Sequence, residues 1–288
     1  MIRRLKYHEI DFHKYAACIE DSEQKNWYAK KEVLDQLSGN WHLLVYEDYQ
    51  AVMPIHIQKK MGVGFVHMPL FCQQLGVFSK TDDPKINEAF LHFLRKKYRL
   101  FLYSFNDRNR FDEPLEQRKN YIIPVSDYPL LRRKKYFKGR KSTVKTAQHL
   151  TYKEIDFNPA SLEFIKNNFK GLVKDVEWQR LKTYLIFLAQ TETLKLCGAF
   201  SKDVLINLAL VIADQGQLSL LGLVNSEHHK HENGSSFLID KILERYIGEK
   251  SFNFMGSNIR GIEVFFKSFG AELREYSFIE NKFLKKFS

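Results

Sequence analysis

Four small or polar residues, Asn233-Gly234-Ser235-Ser236, stand where an apolar run with helical spacing begins. The unpaired amides and the positive dipole end of that helix converge on them, which makes a ready phosphate site. Gly234 would let the backbone approach the anion closely. Plain helix capping by Asn233 or Ser235 accounts for the same residues. A second turn, Gly256-Ser257-Asn258, joins a buried-type strand to a helix, and sites in α/β sheets gather at such turns. The helix that follows carries Ile259, Ile262, Phe265, Phe266 and Phe269 as an apolar stripe, which reads as core.

Charge marks a third feature. The formal net charge is +11, and the 26 residues from Tyr128 to Lys153 hold nine basic residues and no acidic one. The stretches before and after balance to +2 and 0. The dense part is Arg132, Arg133, Lys134, Lys135, Arg140 and Lys141. Cations at this density stay solvated or meet an anion, either phosphate on a small molecule or an RNA backbone. Phe137, Val144 and Ala147 recur at helical spacing, so the segment reads as a helix with one packed face. Tyr128, Tyr136, Phe137 and Tyr152 flank the cations, where stacking on bases could use them.

Several chemistries find no support. His228, His229 and His231 are too close in sequence to converge on one metal from a regular element. No nucleophile elbow, Walker lysine loop or dinucleotide loop occurs, and Gly62-Val63-Gly64 opens no helix. Cys18, Cys72 and Cys197 are widely spaced, which argues against a disulfide framework or zinc site and fits a reducing cytoplasm. No apolar run approaches the ~20 residues of a spanning helix. Met1-Ile-Arg-Arg-Leu-Lys has no apolar stretch behind it, so a signal peptide is not expected. With 288 residues, 44% of them hydrophobic, the chain is expected to form two globular domains in the cytoplasm.

The elements that must position these residues come in two similar series. Phe12–Asp21 and Tyr28–Leu37 read as helices, Trp41–Glu47 and Ala51–Ile57 as a hairpin, Val63–Met68 and Leu75–Phe78 as short strands. Asp82-Asp83-Pro84 opens a helix through Tyr98, and Leu100–Phe105 and Tyr121–Val125 read as strands. In the second half, helices from Pro159 to Lys170 and Glu177 to Ala189 precede three strands, Thr193–Phe200, Val204–Ala213 and Gln217–Leu223. A polar loop leads to a helix from Ser235 to Ile247, then a strand Ser251–Met255, a helix Asn258–Phe269 and a last strand Ala271–Phe278. Both halves run helix, helix, antiparallel meander, helix, strand, which is the order of a duplicated α+β fold.

That order resembles the GNAT superfamily of N-acetyltransferases. The run Phe254-Met-Gly-Ser-Asn-Ile-Arg-Gly-Ile-Glu-Val-Phe-Phe-Lys-Ser-Phe-Gly-Ala271 is similar to a segment of tandem-GNAT proteins, double-domain relatives of the Fem-type aminoacyltransferases of bacteria. Gln73-Gln74-Leu75-Gly76 looks like a stretch of the same proteins. The resemblance implies two GNAT-like (acyl-CoA N-acyltransferase) domains in tandem, residues 1–127 and 154–288, with mixed sheets flanked by helices and a basic junction helix over 128–153.

It further implies an acyltransferase that moves an acyl group from acetyl-CoA or another acyl-CoA to an amine on a small molecule or cell-wall precursor. Asn233, Gly234, Ser235 and Ser236 would hold the donor's phosphate, while Gln73, Gln74, Gly256, Ser257 and Asn258 would line the substrate cleft. The family's phosphate loop reads R/Q-x-x-G-x-G/A; here His231-Glu-Asn-Gly234-Ser-Ser236 keeps the central glycine, and Glu232 adds a charge of the wrong sign. Fem-type relatives take an aminoacyl group from tRNA, and Arg132 to Lys141 as an anion-binding surface suits that alternative. A non-catalytic RNA- or anion-binding protein is the reading from another class. In the implied chemistry a strand amide near Leu220–Leu223 would stabilise the oxyanion. Asn207 interrupts the apolar run Val204–Ala213, pointing to a site or to a satisfied core bond, and Tyr276 is a possible general acid or a packing residue. No carboxylate stands out in the central strands as a base.

Overall fold

The computed structural model describes residues 1–60, 62–172, 174–256 and 258–282. It divides into two units, Met1–Arg118 with the returning segment from Glu275, and Lys119–Arg274. Ser257 lies outside the described residues.

The first unit holds β1 (Ile2–Leu5), α1 (Phe12–Asp21), α2 (Lys31–Ser38), β2 (His42–Tyr46), β3 (Ala51–Lys60), β4 (Val63–His67), β5 (Phe78–Ser79), α3 (Pro84–Lys97), β6 (Arg99–Leu100) and β7 (Leu102–Ser104). Its sheet runs β1-β2-β3-β4-β6 with β5 on β3, antiparallel except for β4 with β6. The helices start where their caps are: Asp11 and Asp83 accept first-turn amides, and Pro84 occupies the first turn of α3. Strand β8 (Glu116–Ile123) leads into the second unit.

The second unit holds α4 (Tyr128–Lys134), α5 (Lys138–Thr146), β9 (Thr151–Ile155), α6 (Pro159–Asn168), α7 (Asp175–Gln190), β10 (Leu194–Ser201), β11 (Val204–Ala213), β12 (Gln217–Asn225), α8 (Gly234–Tyr246), β13 (Ser251–Asn253) and α9 (Arg260–Lys267). A 3₁₀ turn over Glu227–Glu232 precedes α8. Here the sheet runs β8-β13-β12-β11-β10-β9, antiparallel but for the β12–β13 pair. The last strand, β14 (Glu272–Glu280), returns to the first unit and pairs antiparallel with β7, Phe278 opposite Ser104. The architecture is therefore mixed α and β in two units.

α8 is the spine of the second unit. Phe237, Leu238, Ile239, Ile242 and Leu243 are buried against Ala209, Val211, Leu218 and Leu220 of the meander. Leu131, Tyr136, Phe266 and Phe269 join the same cluster, so the basic segment is packed onto this core. Each such side chain contributes about 1.5–3 kcal/mol when fully buried.

Several expected elements differ. The basic segment is two helices broken at Tyr136-Phe137, and Phe137 points outward at 52% exposure while Val144 and Ala147 are buried. Of Leu75–Phe78 only Phe78 is strand, as the first residue of β5. Gly76 sits at φ 115 and the Val77 amide donates to Asn109 Oδ1 at 3.0 Å, which withdraws both from a ladder. Leu100–Phe105 divides into β6 and β7, which pair with different strands. The stripe on α9 is core only at its C-terminal end: Phe266 and Phe269 are buried, whereas Ile259 and Ile262 are exposed.

Candidate functional site

α8 begins directly after Asn233, which is held left-handed at φ 60 and makes no side-chain cap. Capping by Asn233 is thereby excluded, and the first-turn amides of Gly234 and Ser235 find no acceptor among the described residues. Asn207, Asn225 and Ser235 are tied together beside the helix start. Asn207 on β11 lies directly opposite Asn225 on β12. Its Nδ2 donates to Asn225 Oδ1 and to Ser235 Oγ (3.3 Å), and Ser235 Oγ donates to Asn225 Oδ1 at 2.6 Å. This triangle fixes the start of α8 to the meander. Asn207 Oδ1 is buried without a hydrogen-bond partner and lies where a Cβ on Gly234 would stand. The glycine is needed for that close approach.

Ser236, buried at the next position, takes a hydrogen bond from the Arg140 guanidinium. Arg140 also donates through Nε to Ser268 Oγ at 2.8 Å and stacks on Phe265 and Phe269, 4.4 and 4.7 Å from their centroids. No carboxylate of the described residues pairs with it, and burial lowers its pKa. A half-buried cation thus stands near the positive end of a helix, a place that favours negative charge.

Three other members of the basic segment have structural work. Tyr128 donates to the buried Asp240 carboxylate on α8 at 2.9 Å, with Arg132 nearby; burial raises that carboxyl's pKa. Lys141 Nζ donates to the Arg133 carbonyl at 2.7 Å and so covers the end of α4. Lys135 packs its stem against Gly270. Arg133 and Lys134 are exposed.

Glu232, two residues before Gly234, is enclosed by imidazoles. Its Oε1 meets His229 Nδ1 at 2.6 Å and its Oε2 meets His149 Nε2 at 3.2 Å. Hydrogen bonds from Ser201, His229 and His149 hold its carboxyl down to about 2. The charge of the wrong sign is therefore partnered. No group of three His, Cys, Asp or Glu among the described residues could hold a metal.

Beside α8 the sheet opens. β12 and β13 pair only from Gln217↔Ser251 to Ser219↔Asn253, while β12 stays with β11 as far as Asn225. Leu221 is an extra residue between Leu220 and Gly222, so β12 bulges where its β13 partner ends. Among the described residues, backbone groups of Leu220–Leu223 on that side have no β13 partner.

The remaining expected residues fall elsewhere. Gly256 (φ 82) follows Met255 (φ 58), two left-handed residues that make the turn after β13, and exposed Asn258 accepts from the Lys119 amide at 3.3 Å. Gln73 and Gln74 belong to the first unit. Gln74 is buried and accepts the Asp107 amide at 3.0 Å, whereas Gln73 Nε2 is buried without a partner. Tyr276 also lies in the first unit, 6% exposed, its phenol pushed up by burial and so protonated at neutral pH. Sequence reasoning missed Asn225, Ser268 and the inward turn of Arg140. A polar residue opposite Asn207 across a predicted hairpin was the one available signal.

No protein-family model and no curated protein matches the chain. Solved structures do. The crystal structure of FemX is similar over 99% of both chains at 10% identity and a TM-score of 0.64. A conserved protein of unknown function from Bacteroides thetaiotaomicron covers 98% of this chain and 100% of its own, at 13% identity and 0.60. A tandem GNAT protein from the clavulanic acid biosynthesis pathway covers 96% and 97%, at 9% identity and 0.55. The chain has the tandem GNAT, Fem-like fold.

Proposed function

We propose that this protein is an N-acyltransferase whose donor carries phosphate and whose acceptor is an amine. The observation that carries the reading is Arg140, a half-buried guanidinium that, among the described residues, pairs with no carboxylate and bonds Ser236 beside the Gly234 and Ser235 amides, which find no acceptor there. These groups fit one phosphate of an acyl donor: two backbone donors, one cation and the helix dipole. When bound, such a donor supplies the activated acyl group. The Asn207–Asn225–Ser235 triangle keeps the first turn of α8 in place for it. The opened strand Leu220–Leu223 offers backbone amides to the acyl oxygen. No base is assigned, and positioning alone is a substantial source of rate in acyl transfer.

Acetyl-coenzyme A is the first donor to test, because one phosphate of its pyrophosphate suits the amides and Arg140. Aminoacyl-tRNA is the second, favoured by the exposed Arg133 and Lys134. Thermal unfolding with each donor at low and moderate salt separates them. A rise in Tm with the coenzyme that is lost in Arg140→Gln supports the reading. A shift with aminoacyl-tRNA alone, steeply weakened by salt, moves the donor to tRNA. Absence of any shift with both overturns it.

A further inference from the structure

The outer face of α4 carries an arrangement that the phosphate seat does not use. Leu130, Arg133 and Lys134 stand at i, i+3 and i+4 on α4, the spacing of one helix face, and all three are exposed; Phe137, the extended N-cap residue of α5, is exposed three residues further on. Leu130 is 49% and Phe137 52% exposed, and Val125, just before the helix, is 53% exposed. The inner face is equally definite: Leu131 and Tyr136 are in the core, Tyr136 edge-on to Phe269 at 5.3 Å. Phe137 is not a loose tip. Its amide donates to the Ser268 carbonyl at 3.0 Å, so a rigid backbone presents the ring to solvent between exposed Lys135 and Lys138. Asp127 is the acid nearest in sequence, and its carboxylate caps the Leu130 amide at 2.8 Å.

We infer that this exposed segment, with Leu130, Phe137 and Val125 at its apolar tips and Arg133, Lys134 and Lys138 among them in sequence, docks the second unit on the surface of an anionic lipid bilayer. Two features select lipid over RNA. Leu130 and Val125 are aliphatic and cannot stack on bases, whereas the acyl boundary of a bilayer takes aliphatic and aromatic side chains alike. Arg133 and Lys134 share the face of α4 that bears Leu130, and Lys138 adjoins Phe137 in sequence, so cations would reach headgroup phosphates as the apolar tips enter. A spanning segment is not required, and among the described residues no helix is long and apolar enough to cross a membrane. The inference does not rest on the acyl-transfer reading, since it uses neither Arg140 nor the residues at the start of α8.

Vesicle co-sedimentation of the full chain tests it, with phosphatidylcholine vesicles and with vesicles containing about one third phosphatidylglycerol. Binding to the anionic vesicles alone, weakened at about 1 M salt where screening falls to ~3 Å, is expected. Phe137→Ser should lower the partition roughly tenfold, as loss of one inserted aromatic implies. Lys134→Gln should lower it about fivefold, the loss of one surface cation. Both side chains are exposed, so Tm should stay at the wild-type value, which separates lost docking from lost folding. Equal binding to neutral vesicles overturns the inference, as does an unchanged partition for Phe137→Ser. Binding to polyuridylate with none to anionic vesicles overturns it in favour of RNA. Arg140→Gln should leave the partition unchanged, so failure here is distinguishable from failure of the donor site.

Discussion

In each unit an asparagine amide lies on a glycine, yet the two pairs end differently. Asn109 covers Gly76 in the first unit, and its oxygen accepts the amides of Val77 (3.0 Å) and Asn106 (3.3 Å). Beside it the buried Asp82 takes Gln24, Asn87 and Asn109 side-chain donors at 3.0, 2.8 and 3.2 Å and the Arg110 amide at 3.0 Å. In the second unit Asn207 covers Gly234, but among the described residues its oxygen has no partner and the neighbouring charged group, Arg140, has no acid. The amide oxygen over Gly76 is satisfied by backbone donors, whereas the one over Gly234 is left over, with a cation nearby that pairs with no carboxylate among the described residues. Groups that folding leaves uncompensated in a packed region are where a ligand gains most.

The largest effect should come from the closed side. Asp82→Ala strands several buried donors at once, and chemical denaturation should show a loss of about 3–5 kcal/mol. Gly76→Ala comes next, because φ 115 penalises any side chain and the Asn106 amide nitrogen stands 2.7 Å from the new Cβ. Its loss of at least about 1–3 kcal/mol should not be rescued by Asn109→Ala, since the obstacle is partly backbone. Gly234→Ala meets only the Asn207 side chain, at a φ that any residue adopts. Asn207→Ala in the same chain should therefore recover part of its loss, a difference that a double-mutant cycle measures.

The open side should respond in binding more than in stability. Arg140→Gln should lower affinity for a phosphate-bearing donor roughly tenfold, the worth of one charge-assisted contact, by titration calorimetry. The smallest effect concerns Glu232. Its depressed carboxyl contributes stability above the ordinary value of 4.5, and that contribution is lost as pH falls toward about 2. Glu232→Gln should lower Tm at pH 7 and match the wild type near pH 2; an equal deficit at both would show that the carboxylate's charge is irrelevant to the loop.

Local signals carried much of the fold. α1, α3 and α6 begin at Asp11, Asp83 and Asn158, each a residue whose side chain accepts first-turn amides, so their starts were legible. The β10–β11–β12 meander was legible from its apolar runs and tight turns. What escaped were elements decided by a partner far away. Gly76 leaves the strand conformation to meet Asn109, and β6 and β7 part because one joins β4 and the other β14. In the same way α9's stripe is half exposed, since periodicity records that a face is apolar and not how much of it the rest of the chain covers.

The sequence by itself determined a duplicated α+β chain, a helix starting near Gly234 and a basic segment with no acid in it, because caps, periodicity and composition act within a few residues. Only the tertiary structure decided which cation turns inward. Arg140 reaches Ser236 and Ser268, 96 and 128 residues along the chain, and the ring faces of Phe265 and Phe269 that hold it exist only once α9 has packed. Phe137, three residues earlier, turns outward for the same reason: the core beside Phe269 is already filled by Tyr136.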